Sequence, residues 1–161
     1  MAKYVLNTGE DDLNFTLLGI TCAENQYQFI SLLNQTLKTD LTLSDYLPLL
    51  TKGAKVFKFS LYAYVDEDLR LEFNCIPNQS NIEEPNINEN QSSDLFQGIN
   101  LDESTKLIRE LPKTDYFLLL KGDESVVYQF KIINLLKSIP EIIQIQTIEA
   151  QDLPSKKNLI F

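Results

Sequence analysis

The side chains that could do chemistry in this chain are carboxylates, two thiols and a few tyrosines, because the sequence contains no histidine. That absence removes Ser-His-Asp and Cys-His nucleophilic machinery and His-ligated zinc from the chain acting alone. Two acidic runs stand out, Glu10-Asp11-Asp12 and Asp66-Glu67-Asp68. Grouped carboxylates can hold a hard cation, but calcium takes about six to eight oxygens, usually from a preshaped loop. The second run lies between two alternating segments, where charge solvates a hairpin tip. Cys22 and Cys75 form no Cys-x-x-Cys, and each ends an alternating apolar series. They read as small buried hydrophobes rather than nucleophiles, which need an electropositive, exposed setting. Gly122-Asp123-Glu124-Ser125 opens a helix, and helix N-termini attract anions. Asp123 and Glu124 would repel a phosphate and complement the helix dipole themselves, so capping is expected there. No metal, cofactor or phosphate loop is expected from these residues.

The elements that must position these groups come from periodicity. Phe15 to Cys22 reads as a central strand, and Asn25 to Lys38 as a helix with Tyr27, Ile30, Leu33 and Leu37 on one stripe, widened by Phe29 and Leu32. Thr39 to Ala54 is rich in leucine around Pro48 and reads as a compact connection. Val56 to Val65 alternates Phe57, Phe59, Leu61, Ala63 and Val65 against Lys58, Ser60, Tyr62 and Tyr64. Leu69 to Ile76 alternates Leu69, Leu71, Phe73 and Cys75 against Arg70, Glu72, Asn74 and Ile76, so the two runs predict an antiparallel hairpin with one buried and one partly solvated face. Asn78 to Asp94 is dominated by Asn, Gln, Ser and Glu and is expected to be a mobile loop. Leu95-Phe96 fits a short edge strand, and 102–111 fits either a short helix or a strand. Tyr116 to Lys121, a helix face of Val126, Val127, Phe130, Ile133 and Leu136, and Glu141 to Glu149 predict a β-α-β unit.

The chain resembles the IPExxxVDY motif family of small bacterial proteins. The resemblance is carried by Ile139-Pro140-Glu141 and by the ending Ser155-Lys156-Lys157-Asn158-Leu159-Ile160-Phe161. Leu18-Gly19-Ile20, Leu33-Asn34 and Asp115-Tyr116-Phe117-Leu118 look like further pieces of it. The motif's Val-Asp-Tyr falls on Ile145-Gln146-Thr147, which keeps only the apolar position. The resemblance implies kinship and transfers no activity and no catalytic residue.

With 161 residues, 43% of them hydrophobic, one α+β domain over 1–161 is the expectation. The expected architecture is a two-layer sandwich of a mainly antiparallel sheet with two principal helices on one face, in a ferredoxin-like or ACT-like layout. Fourteen Lys+Arg against 23 Asp+Glu leave a net charge of −9, which argues against nucleic acid as a partner. No apolar run approaches the roughly 18 residues of a membrane helix, and the first residues hold no signal-peptide core, so a cytoplasmic location is expected. The Asn-x-Ser/Thr matches at Asn14, Asn34, Asn78 and Asn90 are then chance occurrences.

The function expected is a non-enzymatic interaction module whose partner is another protein or a second copy, with a small-ligand sensor as the alternative and a small enzyme after it. If both helices cover one side of the sheet, the other side is open. Alternation places Lys58, Tyr62 and Tyr64 on that open side as candidate contacts, since Tyr is enriched at interfaces. Leu159, Ile160 and Phe161 end the chain on apolar residues and are expected to dock onto the core or into a partner's groove.

Overall fold

The protein is described by a computed structural model covering residues 13–50, 56–80 and 105–161. The run Glu10-Asp11-Asp12, positions 81–94 of the expected loop, and Leu95-Phe96 lie outside the described residues. In chain order the elements are β1 (Phe15–Cys22), α1 (Gln26–Leu37), β2 (Thr42–Leu50), β3 (Val56–Asp66), β4 (Leu71–Pro77), β5 (Tyr116–Lys121), α2 (Ser125–Leu136) and β6 (Ile142–Ile148). Two short 3-10 turns, Ala150–Asp152 and Lys156–Leu159, follow. The strands make one six-stranded sheet in the order β2-β3-β4-β5-β1-β6, with every neighbouring pair antiparallel. The fold is therefore α+β. No helix among the described residues is long and apolar enough to cross a membrane.

β5 and β6 both run antiparallel to β1, which lies between them. The expected β-α-β unit is thus present in split form, with β5 and β6 parallel to each other and β1 inserted. Residues 105–111 are neither helix nor strand: Lys106 bridges Gln79 in isolation, and turns follow.

Alternation along each strand sends side chains to two sides, and the chain buries both. On one side Leu18 and Ile20 of β1, Phe73 and Cys75 of β4, and Leu118 and Leu120 of β5 meet Phe29, Ile30 and Leu33 of α1 and Ile132 and Leu136 of α2. On the other, Leu17, Phe57, Phe59, Phe117 and Leu119 are closed over by Leu107, Ile108, Ala150, Leu153 and Leu159. The unbroken apolar run Tyr116–Leu120 needs this double burial, because its odd and even residues face different cores.

Several sequence expectations change in the fold. The connection expected over Thr39 to Ala54 is largely an edge strand, β2, paired along its length with β3. Pro48 is tolerated there because an edge strand has one side free of ladder bonds. The hairpin between β3 and β4 turns through residues 67–70, with Arg70 at φ 52° and Leu71 opposite Asp66. In this register Tyr62 opposes Cys75 and Tyr64 opposes Phe73. The tyrosines therefore share the helix side with Phe73 and Cys75, while Phe57 and Phe59 go to the other side. A slip of one residue is enough to exchange the two sets.

The helix caps also differ. Asn25 caps α1 as its side-chain oxygen accepts the Gln28 N–H at 3.0 Å. At α2 no side chain caps the first turn, and the Ser125 hydroxyl instead accepts a hydrogen bond from Thr16 Oγ1 at 3.2 Å in the interior. α2 thereby turns Ser125, Ile132 and Leu136 inward, which leaves Val126, Val127 and Phe130 on the outside.

Candidate functional site

Three places could carry a function. The first is a cleft of about 330 Å³ where β1 ends and α1 begins, lined by Cys22, Glu24, Asn25, Lys106, Asp115 and Tyr116 among others. Two of its polar groups, Asp115 and Tyr116, are tied into the scaffold. Asp115 Oδ2 accepts the Cys22 N–H at 2.8 Å, and the Asp115 N–H donates to the Ile20 carbonyl at 2.9 Å. The Tyr116 hydroxyl donates to the Glu24 carbonyl, and its ring stacks on Phe29 with centroids 3.9 Å apart. Burial pushes the Tyr116 phenol up from its ordinary pKa. Burial also pushes the Cys22 thiol up, as do the charges of Glu24, Asp115 and Glu141, against a backbone hydrogen bond at Glu24 that lowers it. A protonated thiol among carboxylates is a poor nucleophile.

The second place is a hollow of about 460 Å³ between Asp68-Leu69-Arg70 and Gly122-Asp123-Glu124, beside Tyr128. Gly122 has φ 141°, and a Cβ on it would sit 2.4 Å from the Arg70 carbonyl oxygen. The two turns meet backbone to backbone, and the hollow is the space left around that contact. Among the described residues no three or more Cys, Asp or Glu side chains converge to hold a metal ion. The second thiol, Cys75, is remote from solvent, and burial pushes it well up.

The third place is the outward side of α2. Val126, Val127 and Phe130 are 62%, 70% and 66% exposed, one turn apart on the helix surface. Asp123 just before the helix, and Lys131, Asn134 and Lys137 along or after it, are exposed around them. This is an apolar stripe with a polar rim, the make-up of a contact surface.

The contact residues expected from the sequence are spread over both sides of the sheet. Tyr62 is buried on the helix side, and burial pushes its phenol up, helped by the nearby Tyr27, Cys75 and Tyr46. Tyr64 is half-buried with its ring 6.0 Å from that of Phe73, and Lys58 is half-buried. The side of the sheet away from the helices, expected to be bare, is covered by the chain itself. Leu159 is fully buried there, so the expected docking of the tail takes place on the chain's own core. Ile160 and Phe161 stay exposed, with the Lys121 ammonium 4.2 Å from the Phe161 ring centroid. The stripe on α2 was missed because its residues had been assigned to the core. The available signal was Asp123 and Lys137, which stand at helical spacing from Phe130 and mark that side as wet.

No family model, no curated protein and no solved structure matches this chain.

Proposed function

We propose that this chain is a non-enzymatic interaction module, self-associating or binding another protein, and that α2 carries its contact surface. The observation behind this reading is the outward stripe Val126-Val127-Phe130, three apolar residues grouped on one helix, each more than half exposed. Water contact at three adjacent large apolar side chains is unfavourable by roughly 1.5–3 kcal/mol per fully buried equivalent, and a partner removes it. Ile160 and Phe161 form a second, smaller contact candidate. An acidic chain with scattered basic residues favours a protein partner over nucleic acid.

The layout proposed for the fold is ferredoxin-like or ACT-like. It is supported by the order β6-β1-β5-β4, with α1 after β1 and α2 between β5 and β6, to which β2 and β3 add at the β4 edge. Such a layout carries no function by itself, and the loop Cys22-Ala23-Glu24-Asn25 lacks the glycine usual in amino-acid-binding ACT domains. Kinship with the IPExxxVDY family fits the same reading.

The test compares the full chain with a triple variant, Val126→Ser, Val127→Ser and Phe130→Ser, by sedimentation velocity and by capture from its own lysate. Association or capture should depend on the three residues. A chain that neither associates nor captures anything, but gains thermal stability with a metabolite, would replace this reading with the small-ligand sensor.

A further inference from the structure

We infer that the partner of α2 is a second copy of this chain, packed helix against helix in antiparallel fashion about a two-fold axis at Phe130. This rests on the interaction-module reading and names its partner. Asp123, Val127, Phe130, Asn134 and Lys137 follow one another at intervals of four, three, four and three residues, the spacing of a single helical stripe. All five are exposed. The stripe is acidic at its start, apolar in the middle and basic at its end.

Its two charges are placed symmetrically. Asp123 lies seven residues before Phe130, in the turn just ahead of the helix, and Lys137 seven residues after it, at the C-cap, so the two charges stand at opposite ends of the helix. An isologous two-fold contact requires a self-complementary patch, in which residue i meets j and j meets i. Antiparallel packing centred on Phe130 sets Phe130 against its own copy. It sets Val127 beside the next turn of the second helix and brings each Asp123 to the second copy's Lys137. The helix dipoles then oppose, which is the favourable arrangement for neighbouring helices. A parallel arrangement would stack Asp123 on Asp123 and Lys137 on Lys137. With a net charge of −9 on each chain, association needs such local pairing to offset the general repulsion.

Sedimentation equilibrium of the full chain tests this. The wild type should show a concentration-dependent dimer, and Phe130→Asp should abolish it while keeping the wild-type melting temperature at concentrations too low for the dimer. Asp123→Lys and Lys137→Glu should each weaken the dimer about tenfold, because each replaces two attractive contacts by two repulsive ones. Mixing these two variants should restore association, since a mixed pair has an opposite charge at both contacts. Loss in each variant alone together with recovery in the mixture is specific to the antiparallel two-fold, because a parallel pair would gain in the mixture without losing in either variant. A wild type that stays monomeric overturns the inference, as does a dimer insensitive to Phe130→Asp or a mixture that fails to recover. If wild-type association or capture survives in those cases, the interaction-module reading stands without it. If the triple serine variant also changes nothing, both fall.

Discussion

The Ile108 N–H donates to the Asn78 side-chain oxygen at 2.9 Å, and through this bond a polar residue organises the cover of the sheet's second side. The same side chain donates through Nδ2 to the carbonyls of Leu111 at 2.9 Å and Thr114 at 2.8 Å. Its backbone adds two more bonds, to the Asp115 carbonyl and from the Leu107 N–H. Asn78 is fully buried. Replacement by alanine leaves the Ile108 amide and the Thr114 carbonyl without these partners, and leaves the Leu111 carbonyl with only the Thr114 N–H. Asn78→Ala is expected to lower unfolding free energy by about 3 kcal/mol in a urea titration. Asn78→Asp should be at least as damaging at neutral pH, because it loses the Nδ2 donors and buries a charge. An alanine variant as stable as wild type would refute this role.

Gly122→Ala should destabilise far more than Gly19→Ala. At Gly122 the new methyl meets the Arg70 carbonyl at 2.4 Å, a backbone atom, and the φ of 141° is one that L side chains rarely adopt. At Gly19 the nearest obstacle is the Ile148 Cδ1 at 2.7 Å, the far end of a side chain that can rotate away. The expected loss is about 2–3 kcal/mol for Gly122→Ala and about 1 kcal/mol for Gly19→Ala. Paired denaturation curves decide it.

Stability should decline on the alkaline side, with a sign fixed by the thiols and phenols. Burial raises Cys75 and Cys22, and it raises Tyr116 and Tyr62, so the folded chain keeps these protons after the unfolded chain has released them. Their contribution is fully present below about pH 8.5, where an unfolded thiol begins to ionise. It falls as pH rises towards the folded values, and more steeply above about pH 10, where unfolded tyrosine ionises as well. Unfolding free energies from pH 7 to 10.5 should trace this decline, and Cys75→Ala should flatten its first part. Thiol reagents should label either cysteine only as fast as the chain opens, and rapid native labelling would contradict the burial.

The chain end should divide sharply at Leu159. The Asn158 Nδ2 donates to the Leu107 carbonyl at 2.7 Å, and Ser155 Oγ donates to the Glu110 carboxylate at 2.7 Å, which pins the last turn over the sheet. Leu159→Ala is expected to cost about 2–5 kcal/mol. Ile160→Ala and Phe161→Ala should cost about 1 kcal/mol or less, Phe161 losing chiefly its contact with Lys121. Melting temperatures of the three variants test this division. Equal effects would mean that the tail docks as a unit.

Much of this was legible in the sequence, for identifiable reasons. Tyr116–Lys121 emerges with the bounds expected of it, because a short apolar run flanked by Asp115 and Gly122 has few alternatives. β1, α1, α2 and β6 are found for similar reasons. β2 was hidden because Pro48 and the crowded leucines mask alternation, and only pairing with β3 reveals it. The side taken by Tyr62 depends on the register with β4, which a turn of four residues sets and composition does not. The outward stripe is masked for a different reason, with only the charges of Asp123 and Lys137 pointing to it. α2 carries apolar residues around most of its circumference, so spacing alone cannot say which of Phe130 and Ile132 faces the sheet. Thr16 and Ser125, bonded across the interior, fix that choice, and they are distant in sequence.

The position of β1 between β5 and β6 has a consequence for how the chain is made. Leu18 is made long before its cross-strand partners, Leu118 and Thr147. At about 5–20 residues per second, the strand waits on the order of ten seconds for its first neighbour. α1 and the β2-β3-β4 meander are complete well before then and can assemble from local contacts. Leu17, Leu18 and Ile20, destined for opposite sides of the sheet, have no ladder to join. Folding of the finished chain is correspondingly slow, governed by closing a long loop. A nascent chain halted before residue 116 exposes an unpaired strand that is apolar on both faces, a template for another such strand.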